Sequence, residues 1–294
     1  MKPWHGVLVA TALPFADDLS VDFDGFADHI RWLAENGCDG ATPNGSLGEY
    51  PTLTPEERAQ VVRVSLEAAP EGFSIIPGIA AYGALEACHW AEQAAAAGAP
   101  AVMLLPPNAY RCDERAVLHH YAEVAKVGLP VVAYNNPLDT KVDLTADLLA
   151  KLSDAGHIVA VKEFSGDPRR AYLIEEFAPE LELLVGADDM VLELGVTGAP
   201  GWVSGYTNAF PRTCVDLFEA CQAGDMKRAL PLYRLMHPLL RWDSKTEFVQ
   251  AIKLSMDIVG RHGGVCRPPR MPLSEEDADT VRRATELALA AAVS

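Results

Sequence analysis

Short apolar runs alternate with longer amphipathic stretches along most of the chain. Within the longer stretches apolar residues recur at intervals of three and four, as at Phe26, Ile30 and Leu33, which predicts helices. The short runs predict strands. The predicted strands are Gly6–Thr11, Gly40–Pro43, Ser74–Gly78, Ala101–Leu105, Val131–Asn135, Ile158–Lys162, Leu183–Gly186 and Gly201–Ser204. The predicted helices between them are Phe23–Glu35, Pro55–Ala69, Ala84–Ala97, Glu114–Lys126, Leu144–Ser153, Arg169–Phe177, Met190–Gly198 and Pro211–Ala223.

Residues at the ends of the predicted helices agree with these boundaries. Thr54-Pro55-Glu56-Glu57 combines an N-cap, a first-turn proline and two acids at the positive end of the helix dipole. Glycines follow three helical stretches where a left-handed C-cap is expected, namely Gly37, Gly98 and Gly128.

Eight strand–helix units in succession predict an α/β fold, a (β/α)8 TIM barrel. The alternative is an open, doubly wound nucleotide-binding sheet, which would want a glycine-rich turn after the first strand. Ala12-Leu13-Pro14-Phe15 occupies that place instead. We therefore predict a catalytic barrel over residues 1–224.

A C-terminal three-helix extension follows the eighth unit. Its predicted helices are Met226–Arg241, Lys245–Val259 and Glu275–Ala292. A barrel does not need them, so we expect residues 225–294 to form a helical layer packed on the barrel. Such a layer often carries a subunit interface, and we expect a homo-oligomer, either a dimer or a tetramer.

The net charge of the chain argues against two kinds of binding partner. The chain carries a net charge of −17 at pH 7. Binding to nucleic acid requires lysines and arginines that displace phosphate counterions, and an anionic membrane surface would repel this protein. We expect neither partner, and we expect like charge to keep the protein in solution.

The cysteines and the N-terminal region predict a cytoplasmic location. Six cysteines are scattered without a Cys-x-x-Cys pair, which favours buried free thiols in a reducing compartment. The apolar run Val7–Phe15 lacks a strongly basic leader and meets Asp17 and Asp18 at once, unlike a signal peptide. No run approaches the roughly 18 apolar residues that a membrane span needs.

Working residues of a barrel lie at the carboxyl ends of its strands, and Lys162 and Tyr134 occupy such positions. Lys162 ends an apolar run, and a desolvated amine loses proton affinity and becomes a nucleophile. A structural ion pair with Glu163 or with another acid nearby is the alternative. Tyr134, one strand earlier, has a phenol that can shuttle protons, although aromatic residues in strands more often serve packing.

Small and acidic residues follow three other strands. Backbone N–H groups of Gly45-Ser46-Leu47-Gly48, with the Ser46 hydroxyl, can bind a carboxylate, although a plain turn needs glycines equally. Asp188 and Asp189 can bind substrate hydroxyls or metal, or cap a helix, and capping is the commoner role. Ser204 is a further candidate for substrate contact. No metal-ligand spacing and no Gly-x-Ser-x-Gly elbow of a serine hydrolase is present.

Four of these motifs together resemble the dihydrodipicolinate synthase / N-acetylneuraminate lyase family, over Gly6 to Leu289. The matching segments are Gly45-Ser46-Leu47-Gly48-Glu49, Tyr134-Asn135-Asn136-Pro137, Val161-Lys162-Glu163 and Gly186-Ala187-Asp188-Asp189. Each is short, but their order and spacing make the set specific.

The resemblance implies a class I lyase in which Lys162 attacks C2 of a 2-oxo or cyclic imino acid. It implies that Tyr134 is the general acid/base, that Ser46 helps to pass its proton, and that backbone around Ser46 and Leu47 holds the carboxylate. The protonated imine withdraws electrons and acidifies the C3 hydrogen, so neither a metal nor an organic cofactor is expected.

Departures from the family pattern bear on the substrate. Dihydrodipicolinate synthases carry an arginine at the position of Asp139, and sialic acid lyases carry a threonine at the position of Phe164. The loop Pro106-Pro107-Asn108-Ala109-Tyr110 lacks the paired tyrosines of the synthases, which puts a role for Tyr110 in the proton relay in doubt.

Several activities stay open. Asn44 to Tyr50, Ser165-Gly166-Asp167 with Arg169-Arg170, and Gly201 to Gly205 are most similar to deaminases that convert 1-pyrroline-4-hydroxy-2-carboxylate into 2,5-dioxopentanoate and ammonia. The alternatives are a 2-keto-3-deoxy sugar-acid aldolase or dehydratase, a dihydrodipicolinate synthase, and a catalytically silent ligand-binding barrel. The joint presence of Lys162 and Tyr134 argues against a silent barrel.

Overall fold

A closed parallel barrel forms the centre of the protein, whose computed structural model describes residues 1–108 and 111–292. Its strands are β1 (Gly6–Ala10), β2 (Gly40–Thr42), β3 (Ser74–Ile75), β4 (Val102–Leu104), β5 (Val131–Asn135), β6 (Ala160–Glu163), β7 (Glu182–Val185) and β8 (Gly201–Ser204). They pair in the order β3-β2-β1-β8-β7-β6-β5-β4. A parallel bridge between Gly78 and Met103 joins β3 to β4. The predicted (β/α)8 barrel is confirmed.

Helices surround the barrel and extend beyond it. They are α1 (Phe23–Glu35), α2 (Pro55–Ala68), α3 (Ala84–Ala97), α4 (Glu114–Ala125), α5 (Pro137–Thr140), α6 (Ala146–Asp154), α7 (Arg170–Phe177), α8 (Val191–Val196), α9 (Pro211–Gln222), α10 (Met226–Leu240), α11 (Phe248–Ile258) and α12 (Glu275–Ala292). Short 3₁₀ turns lie at Tyr50–Thr52, Asp188–Met190 and Tyr206–Asn208. The C-terminal three-helix extension is confirmed as α10 to α12.

The residues predicted to begin and end helices do so in the structure. Thr54 forms a full capping box with Glu57 at the start of α2. Gly37, Gly98 and Gly128 all have positive φ angles, of 89°, 92° and 92°, and these angles favour glycine because it has no Cβ. The short helix α5 was not predicted. Asn136 caps it, since its side chain accepts a hydrogen bond from the Asp139 amide.

Alternate residues of the strands fill the barrel interior. Leu8, Val132, Ala160, Leu184 and Val203 belong to one buried cluster inside the ring of strands. Because side chains two residues apart on a strand point to the same face, the residues that follow this layer lie at the mouth of the barrel. The working residues of β5 and β6 are among them.

The C-terminal layer shares the main hydrophobic core with the barrel. Met236, Leu239 and Val249 of the layer belong to the same buried cluster as Val185 and Trp202 of the strands. The division at residue 224 therefore stays a prediction about organisation. The expectation about Tyr110 lies outside the described residues.

Candidate active site

Lys162 projects from β6 into the mouth of the barrel. It follows Ala160 of the interior cluster by two residues, so the two side chains share a face. The lysine is only 6% exposed. No carboxylate oxygen in residues 1–108 and 111–292 lies within 4.0 Å of its amine. A buried strand thus carries an amine without an ion-pair partner in the described structure.

Tyr134 is the neighbour of Lys162 across the sheet. The two residues are register partners on β5 and β6, and Lys162 Nζ lies 4.2 Å from the centre of the Tyr134 ring. Phe164 meets the tyrosine edge-to-face, with ring centres 6.2 Å apart. The structure therefore brings the amine and the tyrosine ring together, and their catalytic roles stay a prediction.

Glu163, the alternative partner of Lys162, is occupied elsewhere. Its carboxylate accepts hydrogen bonds from Asn135 Nδ2 at 2.9 Å and from the Ser165 amide at 2.6 Å. Adjacent residues of a strand point to opposite faces, which explains why this acid and the lysine do not meet.

Burial shifts the acid–base properties of the site. Desolvation lowers the pKa of Lys162, while the negative charges of Asp243 and Asp188 oppose that shift. Desolvation, and then the charge of Asp243, raises the pKa of Tyr134. The phenol is therefore neutral at pH 7, and it can donate its proton.

Asn136 orients the Tyr134 hydroxyl. Its Nδ2 donates to Tyr134 Oη at 3.4 Å and to Asp139 Oδ2 at 2.8 Å. Because the phenol oxygen accepts this bond, its own proton stays available to another group. Asp139 itself lies exposed at the start of the following helix.

The Gly45-Ser46-Leu47-Gly48 loop leaves its amides free for a ligand. In the described part of the chain, no acceptor takes a hydrogen bond from the Ser46 or Leu47 N–H. Ser46 is half-buried on the cavity wall. No hydrogen bond joins its hydroxyl to Tyr134 among the described contacts, so the proposed relay between them stays a prediction.

Glu49 connects this loop to the C-terminal layer through ion pairs and a hydrogen bond. Its fully buried carboxylate lies 2.9 Å from Lys253 Nζ and accepts a hydrogen bond from the Arg267 amide at 3.1 Å. The Arg270 guanidinium lies 3.5 Å from the same carboxylate. One buried acid therefore faces two cations, and the loop beside it lies in positive potential.

The two predicted catalytic strands and this loop enclose one cavity of about 520 Å³. Its wall includes Gly45, Ser46, Leu47, Tyr134, Asn136, Leu138, Asp139, Lys162, Phe164, Gly205, Asp243, Lys245 and Arg270. A space of this size suits a small acid rather than a polymer.

Three predicted substrate-binding residues do not line this cavity. The Asp188 carboxylate accepts from Trp202 Nε1 at 3.0 Å and from the amides of Gly205 and Tyr206 at 3.1 and 2.8 Å. Asp189 accepts from Ser244 Oγ, and Ser204 Oγ accepts from Thr207. These bonds hold the loops after β7 and β8, so we leave the three side chains out of the proposed site.

Sequence reasoning missed Asp243, Arg270 and Asn136, which all line the cavity. Asp243 stands between two helices of the extension, where a lone acid has no recognisable pattern. Asn136 belongs to the motif Tyr134-Asn135-Asn136-Pro137, in which it was given no role of its own. An Asn three residues before Asp139 is a typical helix N-cap, and that spacing could have predicted its place at the start of α5. Arg270 lies in a Gly/Pro-rich segment without periodicity.

The described residues offer two further observations about possible partners. No group of three or more His, Cys, Asp or Glu side chains within them is arranged to hold a metal ion. None of the helices they form has the length and apolar character to cross a bilayer.

A parallel barrel with a buried lysine at the end of its sixth strand and a tyrosine on the fifth defines a class of lysine-dependent lyases. The chain matches the Dihydrodipicolinate synthetase family over residues 3–288. It belongs to that family, whose members are class I Schiff-base lyases.

Relatives agree with this assignment along most of their length. A 4-hydroxy-tetrahydrodipicolinate synthase of Methanothrix thermoacetophila is 33% identical over 282 residues, covering 95% of each chain. A DapA-like lyase of Halobacterium salinarum is 31% identical, covering 93% of this chain and 90% of the relative. The crystal structure of dihydrodipicolinate synthase from Aquifex aeolicus superimposes with a TM-score of 0.91 at 27% identity, covering 96% of this chain and 97% of that one.

Proposed function

We propose that the enzyme forms an imine between Lys162 and C2 of a small 2-oxo or cyclic imino acid. The burial of this amine beside Tyr134, without an ion-pair partner in the described structure, is the observation that carries the proposal. A neutral amine attacks C2, and the phenol supplies the proton with which water leaves the carbinolamine.

The substrate carboxylate binds at the loop after β2. The free amides of Ser46 and Leu47 point to this role, and the surplus positive charge around Glu49 favours an anion there. Ser46 adds a hydroxyl donor. Gly45 precedes them at the edge of the cavity and adds no side chain that would fill this space.

The specific reaction that we propose is deamination of 1-pyrroline-4-hydroxy-2-carboxylate to 2,5-dioxopentanoate and ammonia. Attack of Lys162 on the ring C2=N bond opens the ring and frees the nitrogen on C5. Tyr134 removes a C3 proton, and the 4-hydroxyl leaves as water. After proton shifts, one water hydrolyses the C5 imine to an aldehyde and ammonia, and a second water releases the product from Lys162.

The cavity offers support for this substrate. Phe164 is 8% exposed and borders the space beside Lys162, so its ring suits a compact molecule better than a long polyhydroxylated chain. The carboxylate of Asp139 lies on the cavity wall, where it would repel a second substrate carboxylate. Both features weigh modestly against sugar-acid aldolases and against the synthase reaction.

A second candidate is 4-hydroxy-tetrahydrodipicolinate synthase. The relatives that carry this name favour it, and so do the cations Lys245 and Arg270 on the cavity wall. Either cation would have to take over the role of the arginine that Asp139 replaces.

An assay of products separates these candidates. Ammonia and 2,5-dioxopentanoate, the latter followed through an added semialdehyde dehydrogenase, should appear from the pyrroline substrate. Pyruvate from a 2-keto-3-deoxy sugar acid, without ammonia from the pyrroline, would replace the deaminase by an aldolase. Turnover of pyruvate with aspartate semialdehyde would favour the synthase.

Self-association is a further part of the proposal. Helices α7 and α8 expose large apolar side chains, with Tyr172 64%, Phe177 51% and Val196 47% exposed. These side chains are therefore candidates for a contact between subunits. Light scattering should give a dimer or tetramer, and Phe177→Glu should lower the mass of the assembly. A wild-type monomer at micromolar concentration would contradict this.

A further inference from the structure

Asp243 brings a carboxylate from the C-terminal layer to the barrel mouth. It lies in the connection between α10 and α11, directly after Trp242, which is 1% exposed. Lys245 Nζ stacks 3.7 Å from the centre of the Trp242 ring. The anchored tryptophan positions this connection, and Asp243 lines the cavity together with Lys162 and Tyr134.

Asp243 and Asp188 are close to each other but differ in their hydrogen bonds. Three donors from the β8 side occupy the Asp188 carboxylate. The Asp243 carboxylate accepts one long bond, at 3.4 Å, from the Asp188 amide, and no other hydrogen bond joins that carboxylate to the described residues. Asp188 is therefore a structural acid, whereas the Asp243 oxygens retain lone pairs for a ligand.

Gly205 makes the space that Asp243 occupies. A Cβ at this glycine would lie 2.7 Å from Asp243 Oδ1. The backbone of Gly205 is right-handed, with φ at −86°, so its conformation does not require glycine. The close approach of the carboxylate is the reason that a larger residue would not fit.

Asp243 and Tyr134 reach the cavity of Lys162 from different parts of the barrel mouth. Tyr134 is on β5, whereas Asp243 packs against Gly205, which follows β8. A substrate bound to Lys162 on β6 therefore shares one cavity with the phenol and with the carboxyl group.

The protonation states suit two different tasks. Burial, and then the nearby Asp188 charge, raises the pKa of Asp243 well above its usual range, while Lys162 opposes the shift. Burial also lowers the pKa of Lys162. Desolvation therefore favours the neutral form of the amine and of the carboxylic acid, while the attraction between their charged forms opposes it.

We propose that Asp243 is the catalytic acid that protonates the hydroxyl group leaving from C4 of the lysine-bound substrate. This inference rests on the proposed dehydration at C4. In the step, the enamine electrons form the C3=C4 bond and regenerate the C2 iminium. The C4–O bond breaks, the oxygen takes the Asp243 proton, and water and an Asp243 carboxylate result.

Asp243→Asn tests the proposal because the amide keeps the shape and cannot give up a proton at neutral pH. Three measurements are made: ammonia release from 1-pyrroline-4-hydroxy-2-carboxylate, borohydride trapping of pyruvate on Lys162, and C3 hydrogen exchange of 1-pyrroline-2-carboxylate in D₂O. The last compound forms the enamine but has no hydroxyl to lose. Asp154→Asn, at an exposed position on α6, is the control for the change of charge.

We expect Asp243→Asn to lower ammonia release by about 10²- to 10⁴-fold, the usual effect of removing a general acid. Trapping and exchange should stay within about threefold of wild type, and Asp243→Glu should recover part of the turnover. Asp154→Asn should match wild type in all three. Loss of exchange in parallel with turnover would make Asp243 a positioning residue, and unchanged turnover would also overturn the proposal.

Failure of the proposed function gives a different pattern. If the wild-type protein removes water from a 2-keto-3-deoxy sugar acid but not from the pyrroline, only the deaminase proposal is overturned. The role of Asp243 is then tested by comparing the dehydration rates of wild type and Asp243→Asn with the sugar acid as substrate. Wild-type protein that dehydrates none of these hydroxylated acids overturns both proposals.

Discussion

The substitution Gly205→Ala tests whether the position of Asp243 controls turnover. The added Cβ would lie 2.7 Å from Asp243 Oδ1 and 3.0 Å from Ile252 Cδ1. To reach an ordinary contact of 3.4 Å, the carboxylate must retreat by about 0.7 Å. Both neighbours are ends of side chains, so we expect a loss of about 1 kcal/mol in the free energy of unfolding, at the low end for overpacking.

The same displacement should have a larger effect on catalysis. A misplacement of about 1 Å at a reacting group costs about 10²-fold in rate, so we expect kcat for ammonia release to fall about 10- to 100-fold. The Gly205 N–H remains and continues to bond Asp188. The midpoint of thermal unfolding should therefore fall only by the few degrees that about 1 kcal/mol implies, and borohydride trapping of Lys162 should remain close to wild type.

A double-mutant cycle separates displacement of Asp243 from obstruction of the cavity by the new methyl group. In the Asp243→Asn background, Gly205→Ala should add little further loss, because the two changes act through one carboxyl group. If Gly205→Ala lowers kcat as strongly in the Asp243→Asn background as it does in wild type, the methyl group excludes substrate from the cavity. Wild-type kcat in Gly205→Ala would refute the reasoning about Asp243 altogether.

Four other predictions follow from the site. The rate of pyruvate trapping on Lys162 should rise with pH and level off below pH 10.5, because burial lowers the pKa of the amine and only its neutral form attacks; a rise that continues to pH 10.5 would contradict this. Lys162→Ala should abolish the trapped adduct, and an undiminished adduct in that variant would assign the imine to another residue. Exhaustive EDTA treatment should leave activity unchanged, whereas a loss restored by divalent metal would indicate a ligand role for Asp188 and Asp189. Condensation of pyruvate with aspartate semialdehyde should be negligible, since Asp139 is repulsive; a robust signal would point to another cation, such as Lys141 or Arg270.

The barrel was predictable because each of its eight units repeats the same local signals. The errors lie at strand ends. Residues 74–78 were predicted as one strand, whereas β3 ends at Ile75. Backbone hydrogen bonds continue beyond that point, from the Ile76 N–H to Ala41 and from the Gly78 N–H to Pro43, but Pro77 has no N–H to donate and regular pairing ends before it. The short helix α5 was missed because its capping bond competes with a simple turn at Asn136 and Pro137.

The site was predictable where strand order alone brings residues together. Tyr134 and Lys162 end neighbouring strands, and their proximity follows from parallel register. Strand order did not predict where the acidic side chains point. Asp188 and Asp189 stand at the end of β7, but the donors around them bind their carboxylates away from the cavity. Asp243 reaches the same region from a distant loop, which only tertiary packing places there.

The C-terminal layer is part of the site, and this has a consequence for residues 1–224 as a separate unit. A chain cut at residue 224 would keep Lys162 and Tyr134, but it would lose Asp243 from the cavity. It would also lose Lys253, whose amine pairs with the fully buried carboxylate of Glu49. The cut would likewise remove Arg267 and Arg270 from the Glu49 carboxylate, so the loop after β2 would lose the contacts that hold this residue. The carboxylate-binding loop and the proton donor therefore depend on the same C-terminal helices, although the nucleophile belongs to the barrel.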